Sequence, residues 1–154
     1  MKNTPAYWLM KTEPDVFSID TLKAQKTAPW DGVRNYSARN HMRAMQLGNL
    51  VLFYHSSTEP VGIAGIAKVC KLAYPDHTAF DSKNIHYDPK STKKAPTWFM
   101  VDVAFVEKFK HFVSLAELKA QAKLKNMTLF RRGRLSVQPV AQEEFEWICG
   151  LGRP

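Results

Sequence analysis

The sequence predicts an α+β fold: a small, mainly antiparallel barrel decorated by helices. Three observations lead there. The chain has 154 residues, enough for one domain spanning residues 1–154. Apolar runs of strand length begin near residues 7, 50, 61, 98 and 135. Helical segments fall between them at irregular intervals, without the βαβ alternation of a doubly wound sheet.

The first strand is Tyr7-Trp8-Leu9-Met10, stopped ahead of Pro14, which has no N–H for a ladder. Ser18 caps a short helix at Ile19-Asp20-Thr21-Leu22. Pro29 to Val33 reads as a turn. Residues 34–46 suit a helix ended by Gly48 and Asn49. Leu50 to Tyr54 is a continuous apolar strand, and Ser56 to Pro60 a loop. Val61 to Leu72 is a β-branched strand whose two glycines invite bending or close backbone approach. Residues 73–97, with three Pro, three Asp, two His and four Lys, read as a long surface loop. Trp98 to Phe109 is a strand. Ser114-Leu115-Ala116-Glu117 has capping-box spacing and opens a helix to about Lys125. Arg131 to Arg134 is a basic turn. Leu135 to Gln138 is a last strand ended by Pro139, and Gln142 to Cys149 a closing helix.

Composition excludes several classes. Hydrophobic residues are 45% and charged residues 23%, which is globular rather than disordered. No apolar run approaches the roughly 18 residues of a membrane span. Residues 1–10 carry one Lys and no apolar core, so they do not read as a signal peptide. Cys70 and Cys149 lie in separate apolar stretches without CxxC spacing, as two buried thiols of a reducing compartment would. A stand-alone cytoplasmic protein is the expectation. GxSxG, P-loop and HExxH motifs are missing. Gly62-Ile63-Ala64-Gly65 matches the GXXG clamp of KH domains, but inside a strand-type run it reads as a bend. His77, Asp81, His86 and Asp88 match no standard ligand spacing. No metal, cofactor or catalytic residue is expected.

The charge is more informative. The chain carries 22 basic and 14 acidic residues, a net +8 with neutral His. Residues 88–134 hold eleven Lys/Arg against four acids, which supplies +7 of that excess. Arg39 and Arg43 lie four apart, on one face of the helix expected at 34–46. Such asymmetry favours an anionic partner, nucleic acid first, over an evenly solvated surface. Aromatics supply the other half. Phe17, Phe53, Phe105 and Phe112 read as core. Trp30 stands in a turn, where core packing is hard to arrange and a ring face can stay open for a planar base, a stack worth roughly 1–3 kcal/mol.

Four blocks in order now carry a resemblance: Tyr7 to Pro14 (YWLMKTEP), Trp30 to Tyr36 (WDGVRNY), Phe53 to Ser56 (FYHS) and Arg132 to Val140 (RGRLSVQPV). They resemble the EVE domain family over about residues 6–151. The resemblance implies a PUA-like pseudo-barrel of five to six mainly antiparallel strands with peripheral helices, related to the YTH and ASCH domains. It implies a function too: a non-catalytic module that reads a modified base, such as 5-methylcytosine or an oxidised form, on DNA or RNA.

Under that resemblance the residues acquire expected roles. A reader must unstack one nucleotide and hold it in a fitted pocket. Trp30 would be one wall. Gly32 and Val33 would let the backbone approach the base edge, and Asn35 or Ser56 would hydrogen-bond it. Tyr54 and His55 would stand at the mouth. Leu135, Ser136 and Val137 would form the opposite wall and enclose a methyl, worth about 0.8 kcal/mol. Arg34, Arg39, Arg131, Arg132 and Arg134 would hold phosphates. Two rivals stay open. One is a small hydrolase or deaminase acting on a modified nucleoside, with Asp31, Asp76, His55 or Lys11 as its base. The other is a metabolite-binding adaptor.

Overall fold

The structure, a computed structural model, describes residues 6–154. Six strands are β1 (Tyr7–Thr12), β2 (Thr27–Pro29), β3 (Leu50–His55), β4 (Gly62–Pro75), β5 (Phe99–Ser114) and β6 (Val137–Pro139). Five helices are α1 (Ile19–Gln25), α2 (Tyr36–Ala44), α3 (Leu115–Lys119), α4 (Thr128–Arg131) and α5 (Gln142–Gly152). The strands form one sheet in the order β2-β5-β4-β3-β1-β6. Four of its five pairings are antiparallel and β1 with β3 is parallel, so the α+β, mainly antiparallel reading holds. The sheet is open rather than a closed barrel. Its two outermost strands, β2 and β6, are three residues each and do not pair with one another.

β1 and β3, the parallel pair, bury both faces, which is why they read as continuous apolar runs. In β1, Trp8 and Met10 join one core cluster and Leu9 the other. In β3, Val51 and Phe53 face the first cluster, and Leu52 and Tyr54 the second. The first is closed by α1 and α2 through Ile19, Leu22, Ala38 and Met42. The second is closed by α3 and α5 through Leu118, Phe145 and Ile148.

Caps set the helix boundaries. Ser18 accepts from the Thr21 N–H at 3.1 Å, and Ser114 from the Glu117 N–H at 3.1 Å. Asn35 accepts from the Ala38 N–H at 2.9 Å. The helix expected from residue 34 therefore begins at Tyr36, and Arg34 lies outside it. The helix expected to reach Lys125 breaks after Lys119, and a 3-10 turn follows at Ala122–Leu124. The stretch 73–97 is less irregular than its composition suggests. β4 runs to Pro75, a 3-10 turn covers His77–Phe80, and side-chain caps of Asp81, Asn84 and Asp88 on nearby N–H groups shape the rest. Cys149 is buried as expected, but Cys70 is exposed at the outer part of β4. No helix of the described residues is long and apolar enough to cross a membrane.

Candidate nucleic-acid interface

Two segments meet at one end of the first core: the loop 30–35 leading into α2, and the turn 131–135 between α4 and β6. Each is tightly held. The Trp30 N–H donates to the Val101 carbonyl at 2.7 Å, which extends the β2–β5 pairing into the loop. Gly32 has φ of +79°, a left-handed turn conformation suited to glycine. Its N–H donates to Asp76 Oδ2 at 2.8 Å. A Cβ at Gly32 would lie 2.6 Å from Nε2 of His86, so the side-chain space here belongs to that imidazole.

Asp76 is fully buried and anchors the loop. It takes the Arg34 guanidinium at 3.1 Å, the Thr78 N–H at 2.9 Å and the Thr78 hydroxyl at 2.5 Å, besides Gly32. Burial alone would raise its pKa. The hydrogen bonds from Thr78, Gly32 and Arg34 more than offset that and hold it below the usual carboxylate range. An ionised carboxylate saturated by donors is a structural anchor and not a general base.

The basic turn is held from below. The Arg132 N–H donates to the Thr128 carbonyl at 2.7 Å and closes α4. Lys11 Nζ donates to the Gly133 carbonyl at 2.5 Å, and the Lys11 N–H to the Ser136 carbonyl at 2.8 Å. Lys11 also lies 5.4 Å from the Tyr54 ring centroid, and burial lowers its pKa. Gln138, fully buried on β6, donates from Nε2 to the carbonyls of Leu135 at 2.8 Å and Arg132 at 3.4 Å. Its Oε1 has no partner among the described residues.

Between the segments lies a cleft of about 280 Å³, lined by Asn35, Arg131, Arg132, Gly133, Arg134 and Leu135. That is just below the roughly 300 Å³ at which drug-sized sites begin. Among the described residues, Arg131, Arg132 and Arg134 form no ion pair, and their side chains make no hydrogen bond. All three are exposed. Three cations with open donors around a cleft favour an anion or a polar heterocycle. The adjoining helix feels this charge. Burial, and then Arg132, lower the pKa of His41 on α2.

Several expectations are corrected. Trp30 does not keep an open ring face. It is 6% exposed and meets Phe17 and Phe53 edge-on at 6.0 and 5.4 Å between centroids, because the extended β2–β5 pairing turns its indole into the core. Two of the backbone groups offered to a base edge are already engaged: Asp76 takes the Gly32 N–H, and the Val33 carbonyl accepts from Arg34 at 2.9 Å. Tyr54 lies on the opposite face of the sheet from Phe53 and Trp30. His55 accepts the Ile19 N–H on Nε2 at 3.2 Å and stays at the α1 end of β3, and the Ser56 N–H donates to the Thr12 carbonyl at 2.8 Å. Neither lines the cleft.

Arg34 is spent internally on Val33, Asp76, Thr78 and His86. Arg39 is tied to Asn40 and to the Thr97 carbonyl. Neither is a free phosphate clamp. Trp30, Val33, Leu135 and Val137 do share one buried cluster, with Leu135 reaching the cleft and Ser136 beside it half-buried. Sequence reasoning missed Gly133 as a lining residue, and Gln138 and Asp76 as the supports beneath the two segments.

The architecture defines a class: an open six-stranded α+β domain whose two faces are closed by separate helix groups, with an arginine-rimmed cleft at one end. Comparison places it further. The EVE domain family model matches residues 6–151. Human thymocyte nuclear protein 1 is 51% identical over 98% of this chain and 76% of its own length. A hypothetical protein from Leishmania major superposes with a TM-score of 0.92 at 53% identity, covering 95% of this chain and 93% of that one. Human THYN1 crystallised with 5-methylcytosine-containing DNA superposes with a TM-score of 0.92 at 51% identity, covering 96% of this chain and 98% of that one. The chain belongs to the EVE domain family.

Proposed function

We propose that this protein binds DNA without catalysing a reaction on it, and holds one modified cytosine in the cleft between Asn35 and the 131–135 turn. The observation that carries the reading is the set of three uncommitted arginines around a cleft of about 280 Å³. Support comes from the human relative, 51% identical, whose crystal contained 5-methylcytosine DNA. Arg131, Arg132 and Arg134 take phosphates, a term that falls steeply with salt. Asn35 uses its Oδ1 to cap α2, which leaves its amide N–H groups for a base edge. Leu135 offers the methyl an apolar contact. One buried methyl is worth about 0.8 kcal/mol, under tenfold in affinity, so preference for the modified base is modest.

The test is a titration of oligonucleotides with and without one 5-methylcytosine at two ionic strengths. Expected are a steep salt dependence for both and a few-fold preference for the methylated strand. Equal affinity for the two strands overturns modified-base reading. Affinity indifferent to salt overturns the phosphate role of the arginines.

A further inference from the structure

One residue along the chain from the cleft-lining Asn35 stands an aromatic ring that the fold holds in place and leaves open. Tyr36, the first residue of α2, is 61% exposed, more than Tyr87 or Trp147. Its ring stacks on Trp98 with centroids 4.9 Å apart and planes at 29°. Trp98 is buried, and its Nε1 donates to Asp88 Oδ2 at 2.7 Å, so the indole behind the phenol is fixed. The Arg39 guanidinium lies 4.9 Å from the Tyr36 centroid and 6.0 Å from that of Trp98, anchored on the Thr97 carbonyl at 2.9 Å. Both neighbours therefore pack against the phenol at 4.9 Å, and against each other at 6.0 Å. Cation and indole brace each other against the phenol, and the 61% exposure of Tyr36 leaves ring surface open to solvent as an outer face.

We propose that this outer face of Tyr36 is a stacking platform for the nucleobase next to the one held in the cleft. The inference rests on the reading of the cleft given above. Tyr36 follows Asn35, a cleft-lining residue, so the platform is rooted about 3.8 Å along the backbone from the cleft wall, where the neighbour of an unstacked base would lie. Stacking on an aromatic face tolerates any base, so the platform adds affinity and positioning without adding sequence preference. Arg39, already spent on protein groups, acts from behind by fixing the phenol.

The experiment compares the wild-type chain with Tyr36→Ala, Tyr36→Leu and Tyr36→Phe on single-stranded oligonucleotides carrying one 5-methylcytosine. The neighbouring base is either intact or abasic on its 5′ or 3′ side. Tyr36→Ala and Tyr36→Leu are expected to bind about tenfold more weakly, and Tyr36→Phe within about twofold of wild type. An abasic neighbour on one side weakens the wild type about tenfold and leaves Tyr36→Ala unchanged, because both changes remove the same stack. Losses that multiply, or Ala and Leu variants that bind as the wild type does, overturn the platform. The Leu variant guards against a folding defect, since it keeps apolar contact with Trp98. Equal wild-type affinity for methylated and plain strands defeats only the modified-base reading, and the ring-to-neighbour coupling still decides the platform. No binding to either strand overturns both.

Discussion

The Asp76 carboxylate lies 3.1 Å from the Arg34 guanidinium, with the acid wholly buried and the arginine side chain 22% exposed. Through this pair, the loop that precedes α2 is fastened to the turn that follows β4. Asp76→Ala removes the acceptor for Gly32, Arg34 and Thr78 together. Breaking a buried pair from one side costs about 3–5 kcal/mol, and partial exposure of Arg34 puts the effect near the lower end. Urea unfolding of the variant is expected to show that loss.

Trp30→Ala is expected to destabilise the whole domain, by about 3–5 kcal/mol, because the indole is core. Chemical denaturation checks this. Oligonucleotide binding at a temperature where the variant remains folded then separates packing from recognition.

The arginines divide by partner. Arg132→Ala and Arg134→Ala should each flatten the dependence of log K on log salt by about 0.7–0.9 and weaken binding to all sequences alike, with unfolding midpoints unchanged. Arg34→Ala should do the reverse, losing stability through Asp76 with no matching change of salt slope. Binding titrations across a salt series, paired with melts, resolve the two groups.

His55 makes stability pH-dependent. Burial first, and Lys108 after it, lower its pKa, with Asp20 pulling the other way. The folded state therefore binds fewer protons than the unfolded one near neutrality, and stability rises with pH there. Its contribution is full above the unfolded value of about 6.5 and is lost as pH falls through the lower folded value. Protonation also removes the acceptor for the Ile19 N–H. Urea midpoints should drop between pH 7.5 and 5, and a His55→Asn variant should show a shallower drop.

Gln138→Leu unpins the basic turn. The Leu135 carbonyl loses its 2.8 Å donor, while the unpartnered Oε1 disappears with the amide. The two changes oppose each other, so stability should fall by only about 1 kcal/mol. Oligonucleotide affinity should fall further than that stability loss predicts. Equilibrium unfolding and binding measured on the same preparation test the split.

Most of the sheet was legible in the sequence, because β1 and β3 bury both faces and show as apolar runs, and β4 and β5 open on apolar stretches before their exposed charged positions begin. Ser18 and Ser114 announced their helices by local chemistry. β2 was not legible: Thr27-Ala28-Pro29 is too short to show a period, and exists because β5 offers it an edge. The resemblance pointed to the turns at 30–35 and 131–135, but what each residue touches there depends on distant partners. Arg34 meets Asp76 across 42 positions, which no local pattern reports. Tyr54, expected at the mouth, faces the second core instead. Neighbours in a strand point to opposite faces, and Phe53 takes the first core.

The placement of β1 also governs how this chain comes to be made. β1 lies between β3, aligned in parallel with it, and β6, whose Pro139 sits opposite Trp8. A nascent polypeptide therefore carries β1 with one bare edge until β6, more than a hundred residues further along the chain, has emerged from the ribosome. The long sequence separation of these pairings makes folding late and comparatively slow. Shortening the chain ahead of Val137 would remove a sheet edge and the strand below the arginine turn together, so production and recognition would fail in the same step.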